Sequence, residues 1–321
     1  MRVNRFAVGA LTSVLLAGCA GAGSPLAARV AGVHQSVSRH ALPYHDVLYV
    51  SDFNDNVVGI YPLNANNPNP IGEIGIGILN PTGMAVDAAH RLYVADNTNN
   101  VSIGGIKHPP EYVMVFSPGS SSPGSTYWQD LRNPTDVAVG RDGTVYVAGF
   151  GDGYVTEYPA GNSTPSQHFL PPSGSAFAVA LDAQNNLYVA CTTANAIFEF
   201  APGSTQGTDL GLILGGEPHG MTFDNNGNLL VAISLAPNSG SVVDVFPPGQ
   251  KNPSKQIGGV FQPIMLDFDR SKRHLYVADY GSGNHDGGVF EFAYPSGTLE
   301  EKYTQGAASG AYGVAVNPAV H

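Results

Sequence analysis

The side chains of this chain most able to do chemistry are one histidine, in Pro218-His219-Gly220, and several aspartates set in or beside apolar runs. His219 is a candidate general base, a role that needs a group to orient the ring and a substrate proton within reach. Asp136, which follows Pro134-Thr135, and Asp267, which stands where related runs carry alanine or threonine, are the carboxylates that could serve with it. Asp52, Asp96 and Asp279 each close a Leu-Tyr-Val run. Three such carboxylates brought together would hold a divalent cation able to polarise a carbonyl and activate water. The competing reading gives each a local task, accepting backbone N–H groups of its own turn. Cys191 takes the place of a fourth such aspartate. No histidine follows it at a suggestive spacing, and a buried thiol is more often a small hydrophobe than a nucleophile.

What must position these groups is a repeat. Runs of the type Leu-Tyr-Val-Ala-Asp begin at residues 48, 92, 145, 187, 229 and 275, at intervals of 44, 53, 42, 42 and 46. That spacing is the period of a propeller blade, about 40 to 50 residues. A second run of the type Asn-Pro-Thr-Gly-Met-Ala-Val-Asp precedes five of the six, joined to it by polar turns such as Arg141-Asp142-Gly143. Asp-Gly and Asn-Gly supply the positive φ of two-residue hairpin loops, so each pair is expected to be an antiparallel hairpin. A third, alternating run follows, as in Val155-Thr156-Glu157-Tyr158-Pro159, and a less regular fourth strand completes the blade at its edge. The sixth copy of the inner run, Ala311-Tyr312-Gly313-Val314-Ala315-Val316-Asn317, stands alone at the end of the chain and lacks a partner after it. Its partner is the run at 48. The expected fold is all-β: a six-bladed β-propeller of four-stranded antiparallel blades over residues 44–321, closed by pairing of the N- and C-terminal strands.

Composition agrees. Forty glycines and 24 prolines with only 12% charged residues suit short strands and tight turns. A net charge of −11 without a Lys/Arg cluster beyond the first residues excludes nucleic acid as a partner on electrostatic grounds. Two cysteines, one of them in the N-terminal segment, leave no disulfide framework.

The combination of Pro-x-Gly-x-Ala-x-Asp with Leu-Tyr-Val-Ala-Asp resembles the NHL-repeat and gluconolactonase-like six-bladed propellers. The resemblance implies a ligand site at the face where the chain enters each inner strand and leaves each second strand. Thr82, Thr135, Phe177, His219, Ile264 and Tyr312 occupy the first set of places and Asp52, Asp96, Gly149, Cys191, Ile233 and Asp279 the second. A gluconolactonase-like hydrolase would hold a divalent metal there. Pro218-His219-Gly220 resembles a motif of virginiamycin B lyase-like propellers, in which a histidine acts as base. Phe, Ile and Tyr at three of the lead-in places favour a non-catalytic module that binds a protein, a glycan or a small ligand, with the hydrolase or lyase as the alternative.

The N-terminus carries an address. Arg2 and Arg5, an apolar stretch from Phe6 to Ala17 and then Leu16-Ala17-Gly18-Cys19 resemble the signal peptide and lipobox of bacterial lipoproteins. The resemblance implies a signal peptide over 1–18, a lipid on Cys19 that binds the membrane, and export to the cell envelope; Ala20 after the cysteine implies the outer membrane. Residues 19–43 read as a flexible tether.

Overall fold

The Leu-Tyr-Val runs carry apolar side chains on both faces, so each must be covered twice. A ring of radially packed sheets does this, because every blade has a neighbour on either side. The computed structural model describes residues 41–63, 65–97, 102–103, 106–107, 111–235, 240–282 and 285–317; the expected signal peptide, Cys19 and the tether up to residue 40 lie outside the described residues. It consists of six four-stranded antiparallel sheets, and a two-stranded hairpin, Ser102–Ile103 with Ile106–Lys107, accounts for part of the longest repeat interval.

From the axis outward, blade 1 is Ala311–Asn317, Val47–Asp52, Val57–Pro62 and Gly72–Ile74. Blade 2 is Pro81–Val86, Leu92–Asp96, Tyr112–Phe116 and Pro123–Tyr127. Blade 3 is Pro134–Val139, Val145–Gly149, Tyr154–Tyr158 and Gln167–Phe169, and blade 4 is Ala176–Leu181, Leu187–Cys191, Ala196–Phe200 and Thr208–Asp209. Blade 5 is Glu217–Phe223, Leu229–Ser234, Ser241–Phe246 and Lys255–Val260, and blade 6 is Pro263–Phe268, His274–Ser282, His285–Ala293 and Thr298–Tyr303. The ring therefore closes as the repeat count requires, with Ala311–Asn317 antiparallel to Val47–Asp52 in the first blade.

The core is a series of interblade layers. One joins Tyr49, Ile60, Met84, Val94 and Met114 of blades 1 and 2; another joins Leu230, Val245, Leu266, Val277 and Phe290 of blades 5 and 6. The second strands are buried along almost their whole length, and the fourth strands are largely exposed.

The turns between inner and second strands differ from the expected two-residue loops. They are longer, with one left-handed residue each, at His90, Gly143, Asn185, Gly227 and Lys272. An aspartate at the end of the inner strand pins four of them. Asp87 Oδ1 accepts the N–H groups of Ala89 and Arg91, Asp182 those of Gln184 and Asn186, Asp224 those of Asn226 and Asn228, and Asp269 those of Arg273 and His274. A side-chain acceptor inside the turn replaces the second positive φ that the shorter loop would need.

Candidate ligand-binding mouth

On the face where the second strands end, the residue that leaves one blade meets the residue that leads into the next. Phe150 of blade 3 meets Phe177 of blade 4 edge to face, with ring centroids 6.1 Å apart, and Phe177 meets His219 of blade 5 at 4.9 Å. On the opposite side of the ring Tyr280 of blade 6 and Phe53 of blade 1 flank Tyr312, at 6.1 and 5.5 Å. Phe177, His219 and Tyr312 are buried, whereas Phe53, Phe150 and Tyr280 are half-buried. The result is a collar of aromatic rings above a buried layer. Sequence reasoning placed Phe177, His219 and Tyr312 at this face and missed Phe53, Phe150 and Tyr280. These lie one residue beyond the strand ends that were counted, where the six copies carry Phe53, Asn97, Phe150, Thr192, Ser234 and Tyr280, three aromatic and three polar.

The two threonines of the lead-in sequence are fastened within the ring. Thr82 Oγ1 donates toward Ala95 O at 3.1 Å and Pro134 O at 3.0 Å, and Thr135 Oγ1 toward Phe177 O at 2.6 Å. Each hydroxyl thereby ties its blade to the next. Ile264 is fully buried.

His219 is different. It is 2% exposed, and neither ring nitrogen has a hydrogen-bond partner among the described residues. Burial lowers its pKa to about 4, so the ring is neutral at pH 7. Thr192, which follows the second strand of blade 4 as Phe150 follows that of blade 3, also has a buried hydroxyl oxygen with no partner among the described residues. Its short 3-10 turn, Thr192–Ala194, packs against the His219 strand.

The carboxylates do not converge. Asp52 Oδ1 accepts the N–H groups of Asn54 and Asp55, both at 2.9 Å, and Asp96 Oδ2 that of Leu79 at 2.6 Å. Asp279 accepts those of Phe261, Gln262 and Gly281 at 2.6, 3.0 and 2.8 Å. Burial raises Asp52 to about 6. Cys191 is fully buried, and burial pushes its thiol up to about 12, a setting in which the thiolate is not formed.

Asp136 and Asp267 lie along the inner strands. Asp136 Oδ2 accepts the Val179 N–H of blade 4 at 3.0 Å, and Asp267 Oδ2 accepts the Val316 N–H of blade 1 at 2.9 Å. Each satisfies an inner-edge donor that no strand covers. On its other side Asp136 presses on Gly83 of blade 2, where an added Cβ would meet Asp136 Oδ1 at 2.2 Å, so this glycine makes room for the carboxylate.

Burial, and to a lesser degree the charge of Asp267, raises Asp136 to about 7; burial raises Asp267 to about 6. An acid whose folded pKa lies above its unfolded one keeps its proton more tightly in the folded state. Its ionisation therefore removes stability as pH rises from about 4 to about 7. Asp136→Asn keeps an acceptor for Val179 and cannot ionise. Its stability relative to the parent is expected to rise by roughly 2–4 kcal/mol between pH 4.5 and pH 8 in denaturant unfolding. A difference that does not change with pH would show that the carboxylate ionises without penalty.

No protein family matches the chain, and no curated protein matches it. Solved structures do. A chain from a nidogen/laminin complex is 15% identical with a TM-score of 0.66, covering 84% of this chain and 98% of the other. A protein of unknown function from Bacteroides caccae is 14% identical with a TM-score of 0.64, covering 84% of this chain and 97% of its own. A streptogramin B lyase is 12% identical with a TM-score of 0.54, covering 87% of this chain and 89% of its own. At these identities the likeness is one of fold, and this fold carries many unrelated activities.

Proposed function

We propose that this protein is a lipid-anchored binding module of the cell envelope, at the outer membrane, held by Cys19 and presenting the aromatic mouth of its propeller to a ligand without catalysing a reaction. The observation that carries the reading is the collar itself. Phe53, Phe150 and Tyr280 keep ring surface open around the axis, over Phe177, His219 and Tyr312, while the carboxylates of that face are taken up by backbone N–H groups. Aromatic surface with few free polar groups suits a ligand with a planar or apolar face, such as the face of a sugar ring in a glycan, fixed in orientation by a small number of hydrogen bonds. Among the described residues of this face, His219, Thr192 and Asn97, which stands in blade 2 where Thr192 stands in blade 4, have buried polar atoms without a partner, and a ligand that displaces the rings above them would meet these.

His219 also supports the second reading, a lyase-like enzyme, because a neutral imidazole can take a proton. What speaks for binding is that no carboxylate orients the ring.

The test is a glycan and small-molecule array probed with the full chain in detergent, and with Phe53→Ser and Phe150→Ser variants. The expected result is a retained ligand whose affinity falls at least tenfold in each variant. Ligands indifferent to both changes would refute the mouth as the site, and turnover of a captured lactone or cyclic peptide that depends on His219 would replace binding by catalysis. Acyl labelling of the parent that disappears in Cys19→Ala, together with its release from membranes, is the matching result for the anchor.

A further inference from the structure

A second group of chemistry-bearing residues lies on one face of blade 6. His274 is on the second strand, Glu291 on the third and Glu300 on the fourth. One ligand atom from each, a histidine nitrogen and two carboxylate oxygens, lies within 4.8 Å of the others. The arrangement depends on the local register. Glu291 pairs with Glu301 and Phe292 with Leu299, so Glu300 is the extra residue of a β-bulge. A bulge re-aims side chains, and here it brings Glu300 to the side occupied by Glu291.

Comparison with the other blades separates what the repeat requires from what is particular to this one. The aspartate that pins the turn also binds a side chain at the start of the second strand or just before it: Asp87 Oδ2 takes Arg91 Nε at 2.6 Å, Asp182 Oδ2 takes Asn186 at 2.6 Å, and Asp224 Oδ2 takes Asn228 at 2.7 Å. In blade 6 the same place is held by His274, whose Nδ1 lies 3.1 Å from Asp269 Oδ2. This contact fixes the ring with Nε2 turned to Glu300 Oε2, 3.5 Å away. A histidine held through Nδ1 by a carboxylate, with Nε2 free to coordinate, is the outer arrangement of many metal sites.

The third-strand glutamate differs in the same sense. In blade 3, Glu157 is paired across the sheet with Gln167, which donates to Glu157 Oε2 at 3.0 Å, while Ser166 donates to Oε1 at 2.5 Å. In blade 6 the facing residues on the fourth strand are Glu300 and Glu301. Like charges across a sheet repel. Glu291 is itself 3% exposed, and the hydroxyls of Tyr276 and Tyr303 hold its two oxygens at 3.1 and 2.9 Å. A carboxylate has lone pairs for both a tyrosine and a cation on each oxygen.

We propose that His274 Nε2, Glu291 and Glu300 bind one divalent transition-metal ion of the zinc class, with Asp269 orienting the histidine. One imidazole and two carboxylates are a ligand set that zinc accepts with water in the remaining place. The side chains of His274 and Glu300, 27% and 44% exposed, leave that place open to solvent. The site is separate from the strand-ending aspartates and from the mouth, so its failure would leave the binding reading untouched.

The experiment is a titration of the chelator-treated full chain with Co²⁺, followed by visible absorption and by displacement with Zn²⁺. One equivalent is expected to give the absorption of a four- or five-coordinate site. Glu300→Gln and His274→Gln are each expected to weaken the affinity at least tenfold, and Asp269→Asn by about 10–100-fold. Glu300→Gln changes a partly exposed side chain and keeps its shape, so circular dichroism of that variant separates lost ligation from lost fold. Absence of Co²⁺ and Zn²⁺ binding in the parent, or binding equally tight in Glu300→Gln and His274→Gln, would overturn the site and leave His274 as a hydrogen-bond partner of Asp269.

Discussion

Ending the chain at Gly310 is expected to abolish cooperative unfolding, not merely to lower its midpoint. The change removes Ala311–Asn317, seven residues that are all buried. Tyr312, Val314 and Val316 alone, at roughly 1.5–3 kcal/mol for each fully buried side chain, account for about 5–9 kcal/mol. The whole stability of a domain is only about 5–15 kcal/mol. The loss extends past these contacts. Gly313 N–H donates to Ser51 Oγ at 2.7 Å, and Ser51 Oγ donates to Thr82 O at 2.7 Å, so the strand joins blade 1 to blade 2 through a two-step relay. An added Cβ on Gly313 would meet Thr82 O at 2.2 Å, which shows how closely the closing strand approaches its neighbour. Without it Val47–Asp52 becomes an exposed apolar edge, a template for aggregation. Thermal unfolding followed by circular dichroism checks the expectation. A truncated chain that still melts sharply within a few degrees of the parent would show that the remaining 23 blade strands hold the ring by themselves.

Asp279→Ala is expected to cost about 3–6 kcal/mol and to lower the melting temperature by about 5–10 °C. Asp279 is fully buried and accepts three backbone N–H groups, from Phe261 and Gln262 ahead of the inner strand of blade 6 and from Gly281 near the end of the second. Alanine leaves these donors without the carboxylate, at about 1–3 kcal/mol for each one stranded in the interior. Asp52→Ala should cost less, since the two donors it serves belong to residues of its own turn, both of them exposed. Asp279→Asn, which keeps one acceptor oxygen, should fall between parent and alanine. Denaturant unfolding with and without a chelator separates this account from a cation held by Asp52, Asp96 and Asp279. If a cation were the partner, chelation would destabilise the parent and spare the alanine variant, and an Asp279→Ala variant within 1 kcal/mol of the parent would remove the hydrogen-bond account as well.

The two kinds of residue differ in how much of their role the sequence reveals. Asp52 and Asp279 each close a run, and each accepts an N–H from two residues on. That is local, and it is readable. Asp136 and Asp267 stand out only because their equivalents are small; that each reaches an N–H of the following blade depends on how the inner strands pass one another at the axis. The collar was half visible. Phe177, His219 and Tyr312 follow from counting into each inner strand, but Phe150 and Tyr280 join them only because the end of one blade lies against the beginning of the next, and Phe53 because ring closure sets the last strand of the chain beside its first. Least visible was the group on blade 6. Glu300 and Glu301 look alike in the chain, and a bulge brings the first of them beside Glu291 and His274.

By itself, then, the sequence determined the number of blades, the four-strand unit and the closure by the last strand, because strand alternation and a 42- to 53-residue repeat are short-range properties that survive without knowledge of any neighbour. The tertiary structure decided which side chains meet between blades and across bulges. Those contacts depend on shifts of a single residue in register, and one residue in a strand is the difference between one face of the sheet and the other.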